Sequence, residues 1–187
     1  MQIEETTCKG LFLITPEVKG DSRGFFMEIY RRDAFAAHGI PTDFVQENHT
    51  RSTHGVLRGL HFQFDPLLSK LIRVIRGRAF TVAVDIRVDS PTLGQWVSAE
   101  LSDENKQQVY TPAGFATGFC VTGEEAEVEY HYSSLYNPAG ESNIIWNDPR
   151  LAIPWPIQNP SLSQRDAQAR TFEQWLACPE SKLFTVA

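Results

Sequence analysis

Apolar and polar residues alternate with a period of two along most of this chain. Over residues 80–87, Phe80, Val82, Val84 and Ile86 share one face, and mostly smaller or polar residues lie opposite. That period belongs to a strand rather than a helix. The same reading predicts strands over 11–14, 25–30, 44–49, 56–63, 70–76, 95–101, 107–110 and 125–132. Turn chemistry separates them at Gly77, Asp89-Ser90-Pro91, Ser102-Asp103-Glu104-Asn105, Pro112-Ala113-Gly114 and Asn137-Pro138-Ala139-Gly140. Many short strands at close spacing point to an antiparallel sandwich or barrel. Helix is scarce. Residues 33–38 suit a short helix ended by Gly39, and residues 163–176 suit another, with Ser163 as N-cap and Phe172, Trp175 and Leu176 as its apolar stripe. No repeat, linker or low-complexity tract interrupts the pattern, so residues 1–187 are expected to form a single all-β domain with peripheral helices.

Against that background, Arg58, His61 and Lys70 are conspicuous, because they sit in two segments that otherwise read as buried strand. Charged or titratable side chains rarely go inside without a partner or a task. Strict alternation puts Arg58 and His61 on opposite faces, whereas a bulge at Gly59 turns both inward. Tyr130 declares its own direction: Glu125, Glu127, Glu129 and His131 take the wet face, so Val128 and Tyr130 point into the barrel. Each residue also has a plainer explanation. Tyr130 and His61 could be satisfied core residues, Lys70 could reach solvent from a strand end, and Asp166 occupies the reciprocal position of a capping box begun by Ser163.

Composition narrows the class. The chain has 187 residues, 42% hydrophobic and 21% charged, with a net charge of −6. It therefore has no general attraction to nucleic acid or anionic membrane, and an anionic ligand must be met by locally placed basic residues. No apolar run approaches the ~20 residues of a membrane span, and the N-terminus lacks a secretion pattern, so a cytoplasmic protein is expected. Cys8, Cys120 and Cys178 are odd in number and far apart, as inert thiols in a reducing compartment would be. The five histidines include no H-x-H or HExxH arrangement, which disfavours a metal site.

Read in order, Asp21-Ser22-Arg23-Gly24-Phe25-Phe26-Met27-Glu28, Phe44-Val45-Gln46-Glu47-Asn48, Gly55 to Gln63, Lys70-Leu71-Ile72-Arg73-Val74, Val82 to Arg87, Pro112-Ala113-Gly114-Phe115 and Trp146-Asn147-Asp148-Pro149 closely resemble the dTDP-4-dehydrorhamnose 3,5-epimerase family, over nearly the whole chain to about Asp166. The resemblance implies a cupin-like jelly-roll barrel that needs no metal or cofactor and works as a homodimer exchanging an N-terminal strand. It implies a nucleotide-diphosphate 4-keto-6-deoxysugar, dTDP-linked, as substrate. His61 matches the family's base, Asp166 the carboxylate behind it, Tyr130 the acid, and Lys70 the lysine near the keto oxygen. Arg23, Arg58 and Arg165 match diphosphate contacts. Phe26, Glu28, Gln46 and Asn48 match the nucleoside end, and Glu141 a further substrate contact. Two positions depart from the family's usual pattern: Thr117 stands where a substrate-touching histidine is common, and His131 where the residue after the tyrosine is often lysine.

These residue types suit the reaction so implied. A carbon beside a ketone loses a proton only because the charge spreads onto the carbonyl oxygen. An imidazole, with an ordinary pKa of ~6.5, is a fitting base near neutrality. A phenol, at ~10, is a fitting acid from the opposite face. A lysine stabilises the oxyanion, and arginine forks suit phosphate oxygens. The expectation is epimerisation at carbon 3, carbon 5 or both. The alternatives are a single-centre epimerase or keto-isomerase on a related nucleotide sugar, then a non-catalytic sugar-nucleotide binder, then a metal-dependent cupin oxygenase.

Overall fold

In the computed structural model, which describes residues 1–40 and 43–186, eleven strands and three short α-helices follow one another along the chain. The strands are β1 (Gln2–Glu5), β2 (Phe12–Thr15), β3 (Val18–Asp21), β4 (Gly24–Met27), β5 (Gln46–Thr53), β6 (Leu57–Gln63), β7 (Lys70–Asp85), β8 (Trp96–Ser102), β9 (Gln108–Thr111), β10 (Phe115–Tyr132) and β11 (Glu141–Asn143). The helices are α1 (Arg32–Ala36), α2 (Gln164–Ala167) and α3 (Phe172–Leu176).

Among the described residues all pairings between these strands are antiparallel, and β7 and β10 run side by side from Phe115–Asp85 to Tyr132–Lys70. One end of this pair carries β9, β2 and β1 on the β7 side and β5 on the β10 side. The other end carries β8 on the β7 side and β6 then β11 on the β10 side. Two layers sharing one bent central pair make the jelly roll. The bend falls at Gly77, where the register slips between Val121 and Ala126. Gly77 has φ +73, and a Cβ there would stand 1.9 Å from the Glu125 carbonyl oxygen. Only glycine fits both conditions. The expected turn at Gly77 is therefore a corner inside one long strand, and the two strands read at 70–76 and 80–87 are one.

The stripe Phe80, Val82, Val84 and Ile86 faces out of the barrel. It packs under Ile144, Phe172, Trp175 and Phe184 from the C-terminal segment. The small residues opposite, Ala79, Thr81 and Ala83, face inward among Leu11, Val109, Phe119 and Val128. Bulk outside and small side chains inside leave room in the barrel. A third apolar cluster, Phe12, Ile14, Phe35, Ile40, Leu71 and Tyr110, lies beneath α1. The helix expected over 163–176 divides into α2 and α3 because each half has its own cap. Ser163 Oγ accepts from Asp166 N, and Thr171 forms a capping box with Gln174. Strands β1, β3 and β11 carried no readable alternation.

Candidate active site

A cavity of about 380 Å³ opens between the β5 side of β10 and β6. Gln46, Asn48, Arg58, His61, Lys70, Thr117, Tyr130 and Glu141 all line it, so eight of the thirteen residues singled out above converge on one space. A second recess shares Arg58 and His61 with it and adds Ser161, Ser163, Arg165 and Asp166.

The local fold explains the convergence. Between the pairs Arg58–Phe119 and His61–Thr117, β6 carries one residue more than β10. This is the irregularity expected at Gly59, where φ is +140 and a Cβ would lie 2.5 Å from Gly118 Cα. It turns Arg58 and His61 to the same side. Tyr130 follows the expected alternation, with Val128 buried as its inward neighbour. The acidic face of β10 is more covered than alternation alone implies, because partner side chains flank it: Arg51 and Arg76 bind Glu125, His49 and Arg76 bind Glu127, and Arg73 binds Glu129.

His61 Nε2 lies 2.6 Å from Asp166 Oδ1. Asp166 offers its backbone N–H to the Ser163 cap but turns its carboxylate away to the imidazole. The helix turn that looked like a complete capping box is instead a mount for this acid. Burial works against the Asp166 carboxylate, yet its hydrogen bond to His61 and the nearby charge outweigh that and hold its pKa below the usual range.

Lys70 is buried, and its Nζ donates to the His61 carbonyl (2.9 Å) and to Thr117 Oγ1 (2.7 Å). It does not reach solvent. Burial brings its pKa down to about 8, partly opposed by Glu141. Burial pushes the Tyr130 phenol well up, and a neighbouring Tyr132 adds to this, while Thr50 and Arg58 act in the opposite direction. Arg58 Nε donates to Ser52 Oγ at 3.1 Å.

At the rim, Glu141 Oε2 accepts from Tyr136 Oη at 2.8 Å and from Arg165 Nη1 at 2.5 Å. Gln46 Oε1 accepts the Tyr136 backbone N–H, and Gln63 ties the same loop through Leu135 O and Asn137 N. Tyr132 and Tyr136 thus belong to the cavity, and sequence reasoning missed both. Tyr136 sits in a loop with no period to read, although Tyr132 continues the inward alternation of Tyr130.

Three predicted residues lie elsewhere. Arg23, Phe26 and Glu28 belong to, or immediately follow, the β3–β4 hairpin, a separate two-stranded sheet. Phe26 is 71% exposed, Arg23 binds Asp21, and Glu28 binds Arg31. None lines the cavity of its own chain. Among the described residues, Glu47, Glu129 and His131 bring three possible metal-ligand atoms within 4.8 Å of one another. They lie on the opposite face of β5 and β10, away from the cavity, and Glu129 is already bound by Arg73.

The family model described as dTDP-4-dehydrorhamnose 3,5-epimerase matches residues 5–174. The chain belongs to that family. It is 51% identical over 174 residues to the dTDP-4-dehydrorhamnose 3,5-epimerase of Pseudomonas aeruginosa, an alignment spanning 92% of this chain and 96% of the relative. It is 41% identical over 171 residues to a dTDP-4-dehydrorhamnose 3-epimerase of Streptomyces niveus, covering 90% and 83%. The crystal structure of the Legionella pneumophila 3,5-epimerase of this family, in complex with dTDP-4-keto-L-rhamnose, superposes with a TM-score of 0.92 at 42% identity, covering 100% of this chain and 98% of that one. The jelly-roll architecture is thus the family's.

Proposed function

We propose that this protein epimerises a dTDP-linked 4-keto-6-deoxyhexose at the carbons flanking the ketone, in deoxysugar biosynthesis. The observation that carries the reading is the Asp166–His61 pair and the Tyr130 phenol facing one cavity from different strands.

His61 takes the proton from a carbon next to the ketone. The electron pair left behind moves onto the keto oxygen, and the Lys70 ammonium balances it in a water-poor space. Asp166 holds the ring's Nε2–H and stabilises the imidazolium. Tyr130 then gives its proton to the same carbon from the other face, inverting it. His61 releases its proton to solvent and Tyr130 recovers one, which closes the cycle. General acid–base help of this kind is worth about 10²–10⁴-fold. Arg58 and Arg165 hold the diphosphate through their forked donors. Gln46, Asn48 and Glu141 line the path along which the rest of the nucleotide lies, and Thr117 fixes the Lys70 ammonium near the ketone.

Arg23, Phe26 and Glu28 act in a second copy's cavity. An aromatic side chain standing out in solvent, with an arginine beside it, suits a nucleobase and a phosphate that the same chain does not present. The working unit is therefore a homodimer whose hairpins are exchanged. Free thiols at Cys8, Cys120 and Cys178 and a nucleotide-linked substrate fit the cytoplasm. Among the described residues no helix is long and apolar enough to cross a membrane.

The test is incubation with the dTDP-linked 4-keto-6-deoxyhexose in deuterated buffer. Deuterium at carbons 3 and 5 is the expected result, and deuterium at one carbon identifies a single-centre enzyme. Absence of exchange at both carbons overturns the proposal.

A further inference from the structure

We propose that Thr50 is a positioning residue for Tyr130, its hydroxyl turning to meet the charge left on the phenol when Tyr130 gives up its proton. The inference rests on the acid assignment made above.

Strand β5 sends Gln46, Asn48, Thr50 and Ser52 to the inward face, alternating with Glu47, His49 and Arg51 outside. Three of the four have their polar atoms engaged. Gln46 donates to Asn48 Oδ1 and accepts from the Tyr136 backbone, and Ser52 accepts from Arg58. Thr50 is the exception: its Oγ1 is buried, and its approach to the Tyr130 phenol, close enough to favour the ionised form, falls short of a well-formed hydrogen bond. Few buried hydroxyls stay unpaired in folded proteins, and each one calls for a reason.

The register supplies a reason. Thr50 stands opposite Val128, and Asn48 opposite Tyr130, so Thr50 is the diagonal neighbour of Tyr130 on the same face. Both residues line the cavity. The Thr50 hydroxyl favours the ionised phenol, against the burial and the neighbouring Tyr132 that oppose it. Arg58 acts in the same direction, but its Nε is already committed to Ser52.

A threonine hydroxyl rotates freely, accepting in one orientation and donating in another. Beside a neutral phenol it has little to do. Beside a phenolate it becomes a donor, so its effect is concentrated where charge develops during proton transfer. The Thr50 hydroxyl therefore bears on the protonation half of the reaction and leaves proton removal by His61 largely alone.

The experiment measures solvent-deuterium incorporation and product inversion on one sample of the full-length protein, with the dTDP-linked 4-keto-6-deoxyhexose. Thr50→Val removes the hydroxyl while keeping a β-branched side chain. It is expected to lower the ratio of inversion to exchange by about tenfold, a fraction of the 10²–10⁴ of general acid–base catalysis. Thr50→Ser is expected to restore that ratio. A merely structural role would lower inversion and exchange together and leave the ratio at its original value, which overturns the inference. Thr50→Ala serves if the valine variant does not fold. Tyr130→Phe, run in parallel, separates the two claims. If it loses inversion while Thr50→Val keeps the original ratio, the acid assignment stands and Thr50 is not its positioner. If Tyr130→Phe inverts normally, both fall.

Discussion

Asp166 Oδ1 stands 2.6 Å from His61 Nε2, although the two residues are 105 positions apart in the chain. The acid comes from a single helical turn, the imidazole from a bulged strand. Asn143 Nδ2 holds the Arg165 carbonyl at 3.2 Å and so ties that turn to β11, the strand beside β6. The Asp166 side chain is only 3% exposed, so the carboxylate has almost no water to turn to instead. Replacement by asparagine should leave the fold intact, because the Ser163 cap uses only the backbone of residue 166. Asp166→Asn is expected to lower kcat by about 10²-fold or more with little change in KM, by steady-state measurement. An unchanged kcat would remove Asp166 from the base.

Lys70 sets an alkaline limit. Its pKa in the folded chain is about 8, below the ordinary lysine value because of burial. The ammonium proposed to stabilise the oxyanion is present below that pH and is lost as pH rises through it. The rate should therefore fall above about pH 8. Lys70→Met should lower kcat and abolish that limb of the profile. Stability moves the other way. Between about 8 and the ordinary lysine value of 10.5, the unfolded chain binds the proton that the folded chain has lost, so unfolding free energy should rise with pH there. Denaturant titrations at two pH values in that window check the sign.

The exchanged hairpin can be tested by mixing two inactive proteins. His61→Ala lacks the proposed base, and Arg23→Ala lacks a residue proposed to serve the neighbouring copy. In a mixed dimer, one site has His61 from one chain and Arg23 from the other. After co-refolding, random pairing gives about a quarter of the sites both groups. Activity should return to that level. No return upon mixing, with dimers confirmed by light scattering, would place Arg23 at its own chain's site or at none.

Gly77 should tolerate no side chain. Alanine there combines a left-handed backbone with a Cβ 1.9 Å from the Glu125 carbonyl. Gly77→Ala is expected to cost about 3 kcal/mol or more of stability, read as a drop in Tm. A variant as stable as the parent would show that the corner can relax.

Much of this site is legible in the amino-acid sequence. Period-two alternation placed Tyr130 inward, and the glycine in an otherwise regular strand located the bulge that turns Arg58 and His61 to one side. The roles came from the resemblance rather than from the pattern. Asp166 shows why: by spacing it is a helix-capping residue, and only the packing of α2 against β6 reveals where the carboxylate goes. The division of residues 163–176 into two helices was hidden because Phe172, Trp175 and Leu176 keep a helical spacing while the cap at Thr171 resets the turn. Tyr136 sits in a loop held by long-range bonds from Gln46 and Gln63, and such bonds leave no local trace. The hairpin residues Arg23, Phe26 and Glu28 lie together, but a single chain does not bring them to its own cavity.

The shared central strand has a consequence for how this architecture can change. β10 borders β5, β6 and β7 along its length and carries both Thr117 and Tyr130. A one-residue insertion or deletion within a regular stretch of that ladder would swap the inner and outer faces of the residues that follow, unless an irregularity such as the slip between Val121 and Ala126 absorbed it. Novel substrate preferences must therefore arise by point replacement along this spine, or by lengthening the segment around Leu135 and Tyr136, where added residues disturb no ladder. Diversification by added length is confined to the rim, while along the spine it proceeds one side chain at a time.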